Sequence, residues 1–141
     1  MKVLVSACLL GRNCKYNGGN NYNEKLAEFL KGKEVLEICP EVLGGLPTPR
    51  PSVELVNGIA MDKDGNSQDE NFRKGVEVAM EMIGEQDIDL VVLQSRSPSC
   101  GVKQIYDGSF TGKLIDGSGL FAKALKDAGY EVMDVEDIRL N

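Results

Sequence analysis

Three short apolar runs in this chain each lead into a cysteine. Lys2-Val3-Leu4-Val5-Ser6-Ala7 ends at Cys8, and Glu34-Val35-Leu36-Glu37-Ile38 ends at Cys39. Asp89-Leu90-Val91-Val92-Leu93 feeds a polar, bent turn, Ser97-Pro98-Ser99-Cys100-Gly101. Runs this short and this rich in Val, Leu and Ile suit strands covered on both faces, as in a parallel sheet. Packing alone is a poor reason for a thiol after each run, because ligand sites in such sheets lie beyond the carboxyl ends of the strands.

The stretches between the runs predict helices. Asn23 caps a helix over residues 24–31, with Leu26, Phe29 and Leu30 on one face. Ser67-Gln68-Asp69-Glu70 has the spacing of a capping box, and Phe72, Val76, Met80 and Ile83 then recur at helical intervals toward Gly84. A last helix follows Asp116-Gly117-Ser118-Gly119, with Leu120, Phe121, Ala124, Leu125 and Ala128 inward and Gly129 as its stop. Tyr130-Glu131-Val132-Met133 is a fourth strand. Residues 52–59 read as an edge strand or hairpin around Asn57-Gly58, and Asp107-Gly108 as a second hairpin turn. Strands alternating with helices predict an α/β fold over residues 1–141. The expected form is one three-layer, Rossmann-like domain with a largely parallel sheet and its site at the carboxyl ends of the strands. Cys8, Cys39 and Cys100 then share one rim.

Pro40 to Pro51 holds four of the five prolines of the chain. That density excludes a regular helix or central strand and predicts a shaped loop over the site. Glu41 lies two residues after Cys39, tied to it by Pro40, in a mostly apolar stretch. Partial burial suits it to general acid–base work. Arg50, flanked by two prolines, is expected either to pair with Glu54 or to hold an anionic or carbonyl group.

Composition narrows the chemistry. The chain contains no histidine, which removes Ser–His and Cys–His nucleophile pairs, imidazole metal ligands and a histidine base. The formal net charge of −6 argues against a polymeric nucleic acid or an anionic membrane as partner, since phosphate binding needs a basic field. A small-molecule partner is expected. No run approaches the roughly 18 apolar residues of a membrane span. Met1 to Cys8 superficially matches a lipoprotein cleavage box, but only Val3 and Leu4 stand where a signal needs about 7–15 apolar residues. The cytoplasm is the expected compartment, where cysteines more often bind metal or catalyse than form disulfides. Nothing in the pattern sets an oligomeric state.

Five residues separate Cys8 from Cys14, 24 separate Cys14 from Cys39, and 60 separate Cys39 from Cys100. Paired Cys-x-x-Cys knuckles, a thioredoxin-like pair and the short ferredoxin repeat are all absent from the sequence. Widely spaced ligands imply a site assembled by the tertiary fold. Soft thiolates favour an iron–sulfur cluster, zinc or copper(I). Three cysteines without histidine would leave one iron of a cluster open, as a Lewis acid. Gly108 to Leu114 lacks the length and the Ser or Thr of a phosphate loop and reads as turn and strand. Gly117-Ser118-Gly119 before a helix is either an anion site or only a cap.

Three segments together resemble one bacterial family. They are Ser6-Ala7-Cys8-Leu9-Leu10-Gly11 with Cys14-Lys15-Tyr16-Asn17-Gly18, then Cys39-Pro40-Glu41-Val42 with Gly44-Gly45-Leu46 and Pro49-Arg50, and Ser97-Pro98-Ser99-Cys100-Gly101. The family was long catalogued as a domain of unknown function, and some of its members are thiouracil desulfurases. The resemblance covers nearly the whole chain. It implies an oxygen-sensitive [4Fe-4S] enzyme in which three cysteines hold the cluster and the fourth iron takes the sulfur of a thiolated nucleobase. Sulfide leaves, and oxygen from water replaces it without net redox change. Carried onto this chain, the ligands are Cys8, Cys39 and Cys100. Cys14 is a further thiol that either replaces one of them or rests near the open iron. The resemblance implies Glu41 and Ser97 as catalytic residues, with Ser95 and Ser99 close neighbours of the latter. Arg50, Ser99 and Gly101 are expected to meet the substrate, with backbone N–H groups of the 97–101 turn orienting it. Lys15 departs from the family pattern, which has Arg there; the charge stays and the planar fork is lost. A second reading is a non-catalytic thiol protein that binds metal or sulfur.

Overall fold

The computed structural model describes residues 1–84 and 86–140. Four strands form one parallel sheet: β1 (Lys2–Ser6), β2 (Glu34–Ile38), β5 (Leu90–Leu93) and β8 (Val132–Asp134), in the order β2-β1-β5-β8. Ser6 stands opposite Ile38, and Val5 opposite both Glu37 and Val92, so β1, β2 and β5 end close to one level. The chain builds outward from β1 first to one side and then to the other. The reversal between β1 and β5 is the place where an open parallel sheet leaves a crevice beyond its carboxyl ends.

Side chains alternate across the sheet, and both faces are covered. Leu4, Val91 and Leu93 pack against α3 (Asp69–Ile83) and α4 (Leu120–Asp127). Val3, Val5 and Val92 pack on the opposite face against Leu26 and Leu30 of the α1 region (Glu24–Phe29) and against Val135 and Ile138. Burial on both faces is why these runs carry no polar alternation; each such side chain contributes about 1.5–3 kcal/mol. The three-layer expectation holds. A third cluster (Leu55, Ala60, Phe72 and Ile105) seats two antiparallel hairpins beside the sheet. They are β3–β4 (Val53–Val56, Ile59–Asp62) around Asn57-Gly58, and β6–β7 (Gln104–Tyr106, Leu114–Asp116). The second hairpin is joined by residues 107–113, not by a two-residue turn at Asp107-Gly108.

Local departures have local causes. Asn23 caps α1 as expected, its side chain accepting from Leu26 N at 2.8 Å. The capping box at Ser67 does not form. Gln68 is the cap residue and makes no side-chain bond to the helix, and Asp69 turns away to Ala60 N and Arg73. On α3 the buried face is Phe72, Gly75, Ala79 and Ile83, while Val76 and Met80 are only partly buried. On α4, Phe121 and Leu125 are buried as expected, joined by Ala122, and Ala128 is exposed at the helix end. Pro40–Leu43 forms a helical turn, α2, where the prolines suggested none. Proline at the first helical position gives up only an N–H that would have no partner there, so the rule against proline does not apply.

Gly44 and Gly75 explain how α2 is held. A Cβ on Gly75 would lie 1.8 Å from the Pro40 carbonyl oxygen, and one on Gly44 would lie 2.0 Å from that of Asn71. The two helices therefore touch backbone to backbone, and Asn71 Nδ2 adds a 2.9 Å bond to Gly44 O. No described helix is long and apolar enough to cross a membrane.

Candidate active site

Cys8, Cys39 and Cys100 follow the carboxyl ends of β1, β2 and β5 and line one cavity of about 630 Å³ with Cys14, Glu41, Arg50, Ser97 and Ser99. Each thiol is placed by a different device. Cys8 lies in a 3₁₀ turn, Ala7–Leu10, that begins directly after β1. Asn21 locks that turn: its N–H bonds Cys8 O at 3.0 Å and its Nδ2 reaches Cys8 Sγ at 3.6 Å. Cys39 is the cap residue of α2, so the same short helix carries Glu41 into the cavity. Cys100 is buried in the turn after β5.

That turn is braced from three sides. Ser97 Oγ accepts from Cys100 N at 2.7 Å, and Gly101 N donates to Ser97 O at 2.9 Å. The N terminus of α4 supplies the rest. Leu120 N bonds Pro98 O, and Phe121 N and Ala122 N bond Ser99 O. The Gly117-Ser118-Gly119 approach therefore does not bind an anion; its helix spends its leading N–H groups on the turn's carbonyls. The Cys100 and Gly101 N–H groups, expected to aim at a substrate, are likewise spent within the turn.

Cys14 stands beside both Cys8 and Cys39, and Cys39 Sγ donates to the Cys14 carbonyl oxygen at 4.0 Å. The bond from Cys14 outweighs burial and, with Asn21, holds Cys8 below the usual thiol range. Cys14 accepts from Cys39 but donates to Cys8 and is partly buried, which pushes it up to about 11. The bond Cys39 gives to Cys14, together with burial, raises Cys39. Burial pushes Cys100 up to about 12, against bonds from Ser6 and Ser99. Cys8 is thus the thiol most ready to act as a thiolate. Among the described residues no three His, Cys, Asp or Glu side chains close on a point that a single metal ion could occupy.

Glu41 meets two partners. Its Oε2 accepts from Ser99 Oγ at 2.7 Å, and its Oε1 accepts from Arg50 Nη2 at 3.1 Å and Nε at 3.3 Å. The Arg50 and Glu41 side chains are 4% and 13% exposed, so the pair is largely dry. Arg50 pairs with Glu41 and not with Glu54. Glu54 Oε1 instead accepts from Gly108 N and Phe110 N and ties the 107–113 connection to β3. Ser97 Oγ stands 3.4 Å from Ser99 Oγ, and Ser95 is turned away to Asp134, at 2.7 Å. Sequence reasoning did not reach Asn21, nor the cavity lining supplied by Tyr16, Lys63, Tyr106 and Phe110. Asn21, Lys63, Tyr106 and Phe110 stand in no motif with chemistry of its own, whereas Tyr16 lies in the Cys14–Gly18 segment that carries the family resemblance.

Comparison with known proteins agrees with this architecture. A family model described as 2-thiouracil desulfurase matches residues 3–137. An uncharacterized protein, YbbK, from Bacillus subtilis (strain 168) is 36% identical over 146 residues, which is 96% of this chain and 97% of the relative. The solved structure of the [4Fe-4S]-dependent thiouracil desulfidase TudS has a TM-score of 0.90 and 35% identity, covering 97% of this chain and 92% of that one. With the match spanning nearly every element that builds the cavity, the chain belongs to the 2-thiouracil desulfurase family.

Proposed function

We propose that this protein removes sulfur from a small thiolated nucleobase such as 2-thiouracil, at a [4Fe-4S] cluster held by Cys8, Cys39 and Cys100. The C=S group becomes C=O, water supplies the oxygen, and sulfide is released without net oxidation or reduction. One observation carries the reading. Three thiols from three adjacent parallel strands line the same cavity as the Glu41–Ser99 hydrogen bond. Family membership and the solved relative named as [4Fe-4S]-dependent support it.

The residues present fit such a group. The donors are soft thiols in a chain without imidazole, the set that favours iron–sulfur chemistry. They line one cavity of about 630 Å³ together, room enough for a group larger than a single ion. Asn21 and Ser99 stand within hydrogen-bond reach of Cys8 and Cys100 sulfur, the kind of contact that tunes a bound cluster. When bound, the cluster supplies a Lewis-acidic iron without a protein ligand, able to polarise a C=S group.

The chain's own residues do the rest. Glu41 Oε2 takes the proton of the attacking water, and the Ser99 hydroxyl on that oxygen passes protons between carboxylate and cavity. Ser97 holds the Cys100 turn and keeps a second hydroxyl beside Ser99. Cys14 rests against Cys8 and Cys39 without being a ligand. Tyr16, Tyr106 and Phe110 offer apolar walls to a flat ring. A thiolate-rich site of this kind belongs in the reducing cytoplasm, and a net charge of −6 favours a free base or small derivative over polymeric nucleic acid.

The test is anaerobic reconstitution followed by an iron count and a sulfide-release assay with 2-thiouracil. About four irons per chain and steady sulfide release are expected. A protein that takes only zinc, or that holds iron and releases no sulfide, is the non-catalytic thiol protein instead.

A further inference from the structure

We infer that Arg50 is a positioning residue that acts through Glu41 and does not bind the substrate. The inference rests on the desulfurase reading and assigns a cation whose side chain is almost fully buried at its site. A guanidinium has five N–H groups. Here all five are committed: Nε to Glu41 Oε1, Nη1 to Pro47 O and Thr48 Oγ1, and Nη2 to Cys14 O and Glu41 Oε1. The backbone is fixed as well, since Arg50 N bonds Tyr16 O at 2.6 Å. No donor is left to meet a carbonyl, a thiocarbonyl or an anion without breaking one of these bonds.

What the bonds accomplish is orientation. Both Arg50 contacts on the carboxylate fall on Oε1, which leaves Oε2 to Ser99. Arg50 thereby fixes the orientation of the Glu41 carboxylate so that its other oxygen faces the hydroxyl. Its Nη2 is shared between Glu41 and the Cys14 carbonyl, so one side chain ties the Cys14–Tyr16 segment to α2. A lysine has three donors on a single point and cannot span acceptors on three segments.

The experiment is a double-mutant cycle on the reconstituted enzyme, with kcat and KM for 2-thiouracil and iron per chain measured for each protein. Arg50→Gln is expected to lower kcat at least ~10-fold, as misplaced catalytic groups do, with KM within about twofold and iron retained. Arg50→Lys should not restore kcat. The Glu41→Gln/Arg50→Gln double variant should match Glu41→Gln in kcat and KM, because no carboxylate is left for Arg50 to position, while the lost bonds to Cys14 O, Pro47 O and Thr48 Oγ1 should show in stability. That variant removes both buried charges together, so the comparison stands even if Arg50→Gln alone folds poorly. A tenfold higher KM in the double variant than in Glu41→Gln would mean that Arg50 touches substrate, and the inference falls while the desulfurase reading survives. A wild type with iron but no sulfide release overturns the desulfurase reading and this inference with it.

Discussion

The Ser99 hydroxyl donates to Glu41 Oε2 at 2.7 Å across 58 residues of sequence. One partner comes from the first turn of α2 and the other from the turn after β5, and α4 holds the latter in place through the Ser99 carbonyl. The carboxylate and its hydroxyl therefore belong to two separately braced elements, α2 seated on α3 and the turn gripped by α4. Ser99→Ala should lower kcat by ~10–100-fold at unchanged iron content, since only the hydroxyl on the carboxylate is lost. Ser97→Ala should act differently. It removes the acceptor of Cys100 N, costs about 1 kcal/mol in the turn, and shows first as reduced iron retention. A larger kcat loss for Ser97→Ala at full iron content would transfer the active hydroxyl to Ser97.

Cys8, Cys39 and Cys100 differ from Cys14 in origin. The three follow strand ends, whereas Cys14 sits in the loop after the 3₁₀ turn and touches two of them. Serine at any of positions 8, 39 or 100 should abolish iron binding, because a shared site fails as a unit. Cys14→Ser should keep the cluster. Iron analysis and the brown colour after anaerobic reconstitution separate these outcomes; iron loss in Cys14→Ser would make it a ligand.

Gly75→Ala tests how α2 is carried. The added methyl would overlap the Pro40 carbonyl, from 1.8 Å away, so α2 must move off α3 or the helix must bend. A loss of at least about 1–3 kcal/mol in chemical denaturation is expected. Sulfide release should fall further than stability alone explains, since α2 bears Glu41 and begins at Cys39.

Acid should weaken the β4–α3 connection. The buried Asp62 carboxylate accepts first from Asn66 N and also from Asp64 N and Gln68, which holds it below the usual carboxylate range. The unfolded chain then binds its proton at a higher pH than the folded one. Stability from this group is complete above about pH 3.9, the ordinary aspartate value, and is lost as pH falls toward the lower folded value. Asp62→Asn should be less stable at neutral pH and should lose less on going to pH 3. Urea midpoints at the two pH values decide it; an equal loss in both proteins would remove Asp62 from the acid response.

Much of the fold was legible because both-face burial writes itself into sequence as short apolar runs. Lys2–Ser6, Glu34–Ile38 and Leu90–Leu93 are strands where the runs stood, and the thiols after them share a rim because parallel strands end together. The buried face of α3 was legible only in part. Phe72 and Ile83 announced themselves by size, but Gly75 lies at the closest contact because it has no side chain, and hydrophobicity carries no signal for that.

The cysteine spacing and the missing histidine pointed to a thiol site, and the Cys-Pro-Glu and Ser-Pro-Ser-Cys-Gly segments carried the resemblance that pointed to the thiols, Glu41, Arg50, Ser97 and Ser99 now found lining the cavity. Their pairing was not in the sequence. Pairing with Glu54, four residues away, was one of two roles expected for Arg50, yet Arg50 turned back to Glu41, and Ser99 and not Ser97 met the carboxylate. Residue types and local periodicity state what a segment can do. Which oxygen meets which donor depends on how α2 seats on α3 and how α4 grips the turn after β5, and only packing across the whole sheet decides that.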